Sequence, residues 1–323
     1  MDSQTRFLMA LKHQKPDRPP FNFWMDRRLM AQYEACIGHR HWRVTRYGAD
    51  VIETFADLRF PVGTQIEQDG TAWQTDSCLK SWDQAEALCL PDPGKEEVYA
   101  AIQADLAEFP DKAVILDMPT PLGVIAGMRT YETLYTDLYD HPEEYKALGC
   151  RVAEIQAAAV ERACKMGITA LYMMEDIATA HGLAMSPAMI QEFCLDLSRK
   201  QIDTARAHGV PVMFHSDGAM MDFVPMVRAM GGVAVNPLQP HLNNARQFKA
   251  TWGGRMAVYG GLDNCFIIPD GTAAEVRRHV LDVFDVLGRP DGGLILSTHD
   301  IPLHTPPENV ETLIDTIKNE CRY

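Results

Sequence analysis

Apolar residues fall into two rhythms along the chain. Short runs of four to six alternate with longer stretches in which apolar positions recur every three or four residues. The first rhythm marks strands covered on both faces, and the second marks amphipathic helices. Eight short runs stand out, at 21–24, 51–54, 113–118, 170–174, 211–215, 232–236, 256–260 and 294–298. Helical pattern is expected at 4–13, from the first run to about residue 47, in an acidic stretch ending at Phe109, and at 124–139 and 142–166. Further helices are expected from Pro187 to His208, at 221–230, near 243–252, from Thr272 to about 288, and from Pro306 onward. Residues 60–82 carry turn and strand signals, Gln68-Asp69-Gly70 followed by 71–75, and read as a hairpin insertion. Eight strand–helix units predict one α/β domain over 1–323, a (β/α)8 TIM barrel preceded by a helix. A doubly wound open sheet is the alternative, but no Gly-x-Gly-x-x-Gly follows any strand to support it.

Composition narrows the class. Hydrophobic residues make up 46% of the 323, enough for a large core, and the net charge is −14. That charge argues against nucleic acid and anionic membranes as partners. It argues equally against a polyanionic substrate, unless basic residues gather at the site. The eight cysteines are widely and irregularly spaced with no Cys-x-x-Cys, which predicts free thiols in a reducing cytoplasm. No run of 18 apolar residues occurs, and the first residues lack an apolar leader pattern, so a cytoplasmic protein is expected.

Chemistry collects where the apolar runs end. The stretch Pro211-Val-Met-Phe-His-Ser-Asp-Gly218 passes from apolar residues straight to an imidazole, a carboxylate and a glycine. It reads either as a strand delivering His215 and Asp217 to a barrel mouth or as a solvated loop with an Asx turn. The other runs favour the mouth: Arg27 and Arg28, Asp57, Asp117, Glu175 and Asp176, Asn236 and Gln239, Asp263, and His299 with His304 all follow apolar runs. His215, Asp217, Glu175 and His299 together offer nitrogen and oxygen donors for a divalent metal, zinc or another first-row ion. Asp57 and Asp263, with Glu175, are candidates for orienting substrate or moving protons. Arg27, Asp117, Gln239, Gly260 and Gly261 are candidate substrate contacts. The two glycines either permit close backbone approach at the mouth or make a tight turn. The methionines near 173–174, 213 and 220–230 read as core filling.

Several segments taken in order resemble the uroporphyrinogen decarboxylase superfamily. They are Leu11-Lys-His-Gln-Lys-Pro-Asp-Arg-Pro-Pro20, Glu175-Asp-Ile-Ala178 with Met185-Ser-Pro187, and His208 through Gly218. Asn236-Pro-Leu-Gln239, Tyr259-Gly-Gly-Leu-Asp263, Gly293 through His299 and Thr305-Pro-Pro-Glu-Asn309 complete the set. The resemblance implies a (β/α)8 barrel. One branch decarboxylates a tetrapyrrole without a cofactor, using an Asp that Asp57 of Phe55-Ala-Asp57 resembles. The Arg-rich Met-Arg-Gln-Ala-Gly-Arg-Tyr motif of that branch is replaced here by Phe23-Trp-Met-Asp-Arg-Arg-Leu29. The other branch comprises corrinoid-linked methyltransferases with zinc on a His-x-Cys pair and a later Cys. Here His215 matches the His, Asp217 stands for the first Cys, and His299 lies near the later one. The resemblance therefore implies a zinc-dependent methyltransferase acting with a corrinoid on a partner protein. The alternatives are a cofactor-free decarboxylase and a non-catalytic barrel that binds a corrinoid or tetrapyrrole. Expected partners are a small-molecule substrate, a corrinoid protein and, as an option, a second copy in a homodimer.

Overall fold

Seven of the eight apolar runs become strands of one parallel sheet. In the computed structural model, which describes residues 1–68 and 71–323, these are β1 (Val51–Phe55), β2 (Ala113–Pro119), β3 (Ala170–Met174), β4 (Val212–His215), β5 (Ala234–Asn236), β6 (Ala257–Gly261) and β7 (Leu294–Ser297). Each pairs in parallel with the next in chain order. Helices between successive strands cover the outside, so both faces of the sheet are dry.

The first run, 21–24, is not a regular strand. It makes single parallel bridges, Phe21 to Leu296 and Met25 to Ile301. Leu296 N–H donates to Pro20 O and Asp50 N–H to Phe21 O, so the segment lies between β7 and β1 and closes the ring. Its own donors go partly to side chains, Phe21 N–H to Asp50 Oδ2 at 2.9 Å and Trp24 N–H to Thr298 Oγ1 at 3.0 Å. That is why an apolar run yields bridges and no ladder.

Alternation places Val51, Ile115, Tyr172, Met213, Tyr259 and Ile295 inside the ring, with alanines at 113, 170, 234 and 257. The alanines leave room at one end for Phe7, Ala10 and Leu11 of the helix Ser3–Leu11, which plugs the barrel. Buried Asp50 fastens the plug: it accepts from Ser3 Oγ at 2.7 Å, Arg6 at 2.8 Å and Arg18 at 2.6 Å. Removing one member of such a buried pair costs about 3–5 kcal/mol, because the remaining charge stays uncompensated.

Two expected helices are each divided. The stretch after Arg27 forms Arg27–Ile37 and Trp42–Tyr47, the first ending at Gly38 with φ 78°. The helix expected at 124–139 forms Pro121–Arg129 and Tyr131–Asp140, split at Thr130 with φ 83°. Arg129 then pairs with Asp137 through two bonds of 2.7 and 2.8 Å, fixing the bend. The insertion at 60–82 contains the antiparallel ribbon Gln65–Gln68 and Thr71–Gln74, while its expected turn at 69–70 lies outside the described residues. No helix among the described residues is long and apolar enough to cross a membrane.

Candidate active site

Inward alternation continues past the apolar layers into polar ones. Asp117 follows Ile115 by two residues, His215 follows Met213, and Asn236 follows Ala234. The register sets Asp117 beside Tyr172 and His215 beside Asn236. These side chains line a cavity of about 520 Å³ at the C-terminal end of the strands, with Trp24, Arg27, Met30, Met174, His299 and Asp300 among the other walls.

His215 is 7% exposed, and its tautomer is set by a chain of bonds. Asn236 Nδ2 donates to the Tyr259 carbonyl at 2.6 Å, which turns Oδ1 toward His215. His215 Nδ1 lies 2.7 Å from that oxygen and must be the donor, so Nε2 carries the free lone pair. Tyr172 O–H donates to the same oxygen and holds it in place. Asp176 Oδ1 stands 3.5 Å from Nε2. Burial pulls the imidazole pKa down, but bonding to Asp176 and the charges of Asp176 and Asp217 outweigh it, so the net shift is upward.

His299 completes the group. Its ring stacks on that of His215 with centroids 5.6 Å apart, and its Nε2 is 3.4 Å from Asp217 Oδ2. His215, Asp217 and His299 each present a ligand atom within 4.8 Å of the others, the only group of three such residues among those described. Asp217 Oδ1 is sealed from solvent and has no hydrogen-bond partner, the condition of an oxygen waiting for a cation. The loop carrying Asp217 is held firmly. Ser216 Oγ accepts from Ile177 and Ala178 N–H, and Gly218 N–H donates to Gln239 Oε1 at 2.8 Å.

Other expected residues lie elsewhere. Glu175 is not in the metal group: Oε1 accepts from Tyr131 O–H at 2.9 Å and Oε2 from Thr120 Oγ1, toward the helix Pro121–Arg129. Burial raises its carboxyl pKa. The neighbour turned to His215 is Asp176. Asp57 pairs with Arg59 on the surface and lines a different cleft, with Cys89, Asp92 and Lys95. Asp263 Oδ1 caps its own loop, accepting from Cys265 and Phe266 N–H at 2.9 and 2.8 Å. Gln239 is a loop fastener and does not line the cavity. The glycine pair does permit close approach, but to backbone: a Cβ on Gly260 would sit 1.9 Å from Pro237 O. Arg27 and Asp117 do line the cavity.

Sequence reasoning placed Asp176 and Asn236 at the mouth without a specific role and gave none to Tyr172 or Asp300. The alternation that turns Ala170 and Met174 inward also points Tyr172 inward, so that signal was present.

A family model described as Uroporphyrinogen decarboxylase (URO-D) matches residues 42–320. The chain belongs to the uroporphyrinogen decarboxylase family. A uroporphyrinogen decarboxylase of Syntrophotalea carbinolica is 31% identical over 196 residues, 59% of this chain and 53% of the relative. The matched stretch thus spans about half the length of that relative. One from Myxococcus xanthus is 24% identical over 97% of this chain and 95% of its own. Among solved structures, a methyltransferase from Methanosarcina mazei superposes with TM-score 0.73 over 98% of each chain at 15% identity. A B12-independent methionine synthase from Shewanella sp. W3-18-1 gives TM-score 0.52 at 10% identity, covering 94% and 93%. These two likenesses establish the shared fold.

Proposed function

We propose that this uroporphyrinogen decarboxylase family member is a metal-dependent methyltransferase acting on a small methyl compound that is not a polyanion. The methyl group would pass between that compound and a corrinoid carried by another protein. The observation that carries the reading is the convergence of His215, Asp217 and His299, with both imidazoles lining the cavity. Three protein donors match the number that catalytic zinc sites use. Nitrogen and oxygen donors suit zinc or a neighbouring first-row ion. Asp217 and the two imidazoles would hold the ion, and Asn236 keeps the His215 lone pair facing it. When bound, it would polarise the heteroatom that bears the methyl group. Trp24, Met30, Tyr172 and Met174 provide apolar walls that limit water around the substrate.

Decarboxylation of a tetrapyrrole is the second reading, favoured by the names of the curated relatives. The cavity's charge speaks against it. Among the described residues, Arg27 is the single arginine or lysine lining the cavity, where a substrate with many carboxylates would want several.

Untagged protein, supplemented with zinc and desalted, decides the metal part by elemental mass spectrometry. About one equivalent is expected, with less than about 0.1 in His215→Ala and in His299→Ala. A wild-type value below about 0.1 equivalent would remove the metal from the reading. Incubation with uroporphyrinogen tests the rival: release of carbon dioxide with porphyrins of fewer carboxylates would replace methyl transfer by decarboxylation.

A further inference from the structure

Two carboxyl groups share the barrel interior, Asp117 lining the cavity and Glu53 not, and they are treated very differently. Glu53 receives Asn22 Nδ2 at 3.2 Å, Trp24 Nε1 at 3.0 Å and Tyr259 O–H at 2.6 Å, with the Arg43 guanidinium 3.5 Å away. Those are the partners of an anion. Asp117, on the adjoining strand, has an Oδ1 sealed from solvent with no partner at all, while the rest of its side chain faces the cavity. The charged and titratable groups that face it are Glu53, Arg43 and Tyr172. Burial, and then the charge on Glu53, push its carboxyl well above the ordinary range, with Arg43 opposing. A second negative charge beside Glu53, on a carboxyl whose sealed Oδ1 receives no donor, is unfavourable, which favours the protonated form of Asp117.

We propose that Asp117 is the proton donor to the leaving oxygen of an O-methyl substrate bound in the cavity. The inference rests on the methyltransferase reading and names its substrate class: a neutral methyl ether, aromatic by the match to Trp24, Tyr172, Met30 and Met174. The methyl carbon–oxygen bond breaks with its electron pair left on oxygen. The Asp117 proton moves to that oxygen as charge develops there. The methyl carbon bonds to the electron pair of a reduced corrinoid, the acceptor. The Asp117 carboxylate left beside Glu53 regains a proton from water once the phenol departs. The acidic walls that repel a polyanion accept a neutral ether and release a neutral phenol.

The test has two readouts. Infrared spectra of wild type and Asp117→Asn at pH 7 should differ by a protonated carboxyl band, present only in wild type. Its absence overturns the proposal without touching the metal site. Single-turnover methylation of reduced cobalamin by zinc-loaded protein is then compared for methoxybenzene and 4-cyanomethoxybenzene, whose phenol leaves readily without a proton. Asp117→Asn should slow the first by about 10²-fold or more and the second far less. An equal loss on both ethers would make Asp117 a merely structural residue and overturn the proposal while the methyltransferase reading stands. No methyl transfer from either ether in wild type would overturn both. Asp117→Ser provides a second background should the asparagine variant fold poorly.

Discussion

The Nδ1 of His215 lies 2.7 Å from Oδ1 of Asn236, and Asn236 cannot turn away because its Nδ2 is committed to the Tyr259 carbonyl. The two residues end adjacent strands, β4 and β5, in direct register. One amide therefore decides which imidazole nitrogen faces the cavity. Asn236→Leu removes the acceptor and lets the ring rotate or change tautomer. Metal affinity should fall about 10- to 100-fold, the usual cost of losing the partner of a ligating histidine. Competition with a coloured chelator measures it. Unchanged affinity would mean that Asn236 does not govern the ring.

Asp57 separates the two functional readings. It is half-buried at the surface, paired with Arg59, and faces a cleft apart from His215. Asp57→Asn should therefore leave metal content and methyl transfer within about 3-fold of wild type, as surface changes away from a site do. If the protein decarboxylates and Asp57 is its key acid, the same variant loses that activity. Assaying both reactions on one variant yields the answer.

The barrel was legible in the sequence because strands buried on both faces must be apolar runs, and seven of them are. Segment 21–24 looked the same but formed bridges, because Asp50 and Thr298 take backbone donors that a ladder would have used. Such competition depends on residues distant in the chain and leaves no local pattern. His215 and His299 were legible for the same reason as the strands they follow. The choice between Glu175 and Asp176 was not. Adjacent residues at a strand end point opposite ways, and only the packed helix with Thr120 and Tyr131 shows which one it captures. Tyr172 and Asn236 act by positioning His215, a role that residue type alone does not announce.

His279 should give a measurable pH dependence of stability. Its Nε2 accepts the Asp263 N–H at 2.9 Å, which requires the neutral ring. Burial lowers its pKa below the ordinary 6.5, and Asp263 and Asp282 only partly oppose. Below about pH 6.5 the unfolded chain binds a proton that the folded chain refuses. Stability is therefore complete above that value and falls as pH drops toward the lowered folded pKa, by up to about 1.4 kcal/mol per pH unit for one proton. His279→Gln keeps an acceptor for Asp263 without titrating. Urea midpoints at pH 7.5 and 5.5 should diverge less for the variant than for wild type. Parallel pH curves would show that His279 titrates alike in both states.

Gly260 tests how tightly the barrel mouth is built. It has φ 146°, and a Cβ there would meet Pro237 O at 1.9 Å and Pro237 C at 2.6 Å. Both obstacles are backbone, in the segment that continues from Asn236, so the clash cannot be relieved by a side-chain rotation. Gly260→Ala should destabilise by about 3 kcal/mol or more, combining strain at a positive φ with overpacking. Because Asn236 precedes the displaced Pro237, the variant that still folds should also bind metal more weakly. Gly167 is the control: its φ is 104° but a Cβ meets nothing within 4 Å. Gly167→Ala should cost only about 1 kcal/mol, the strain alone, with metal affinity unchanged. Thermal melts and chelator competition on the pair separate conformational strain from crowding. Equal losses in both variants would mean that the approach of Gly260 to Pro237 is not what holds the mouth in shape.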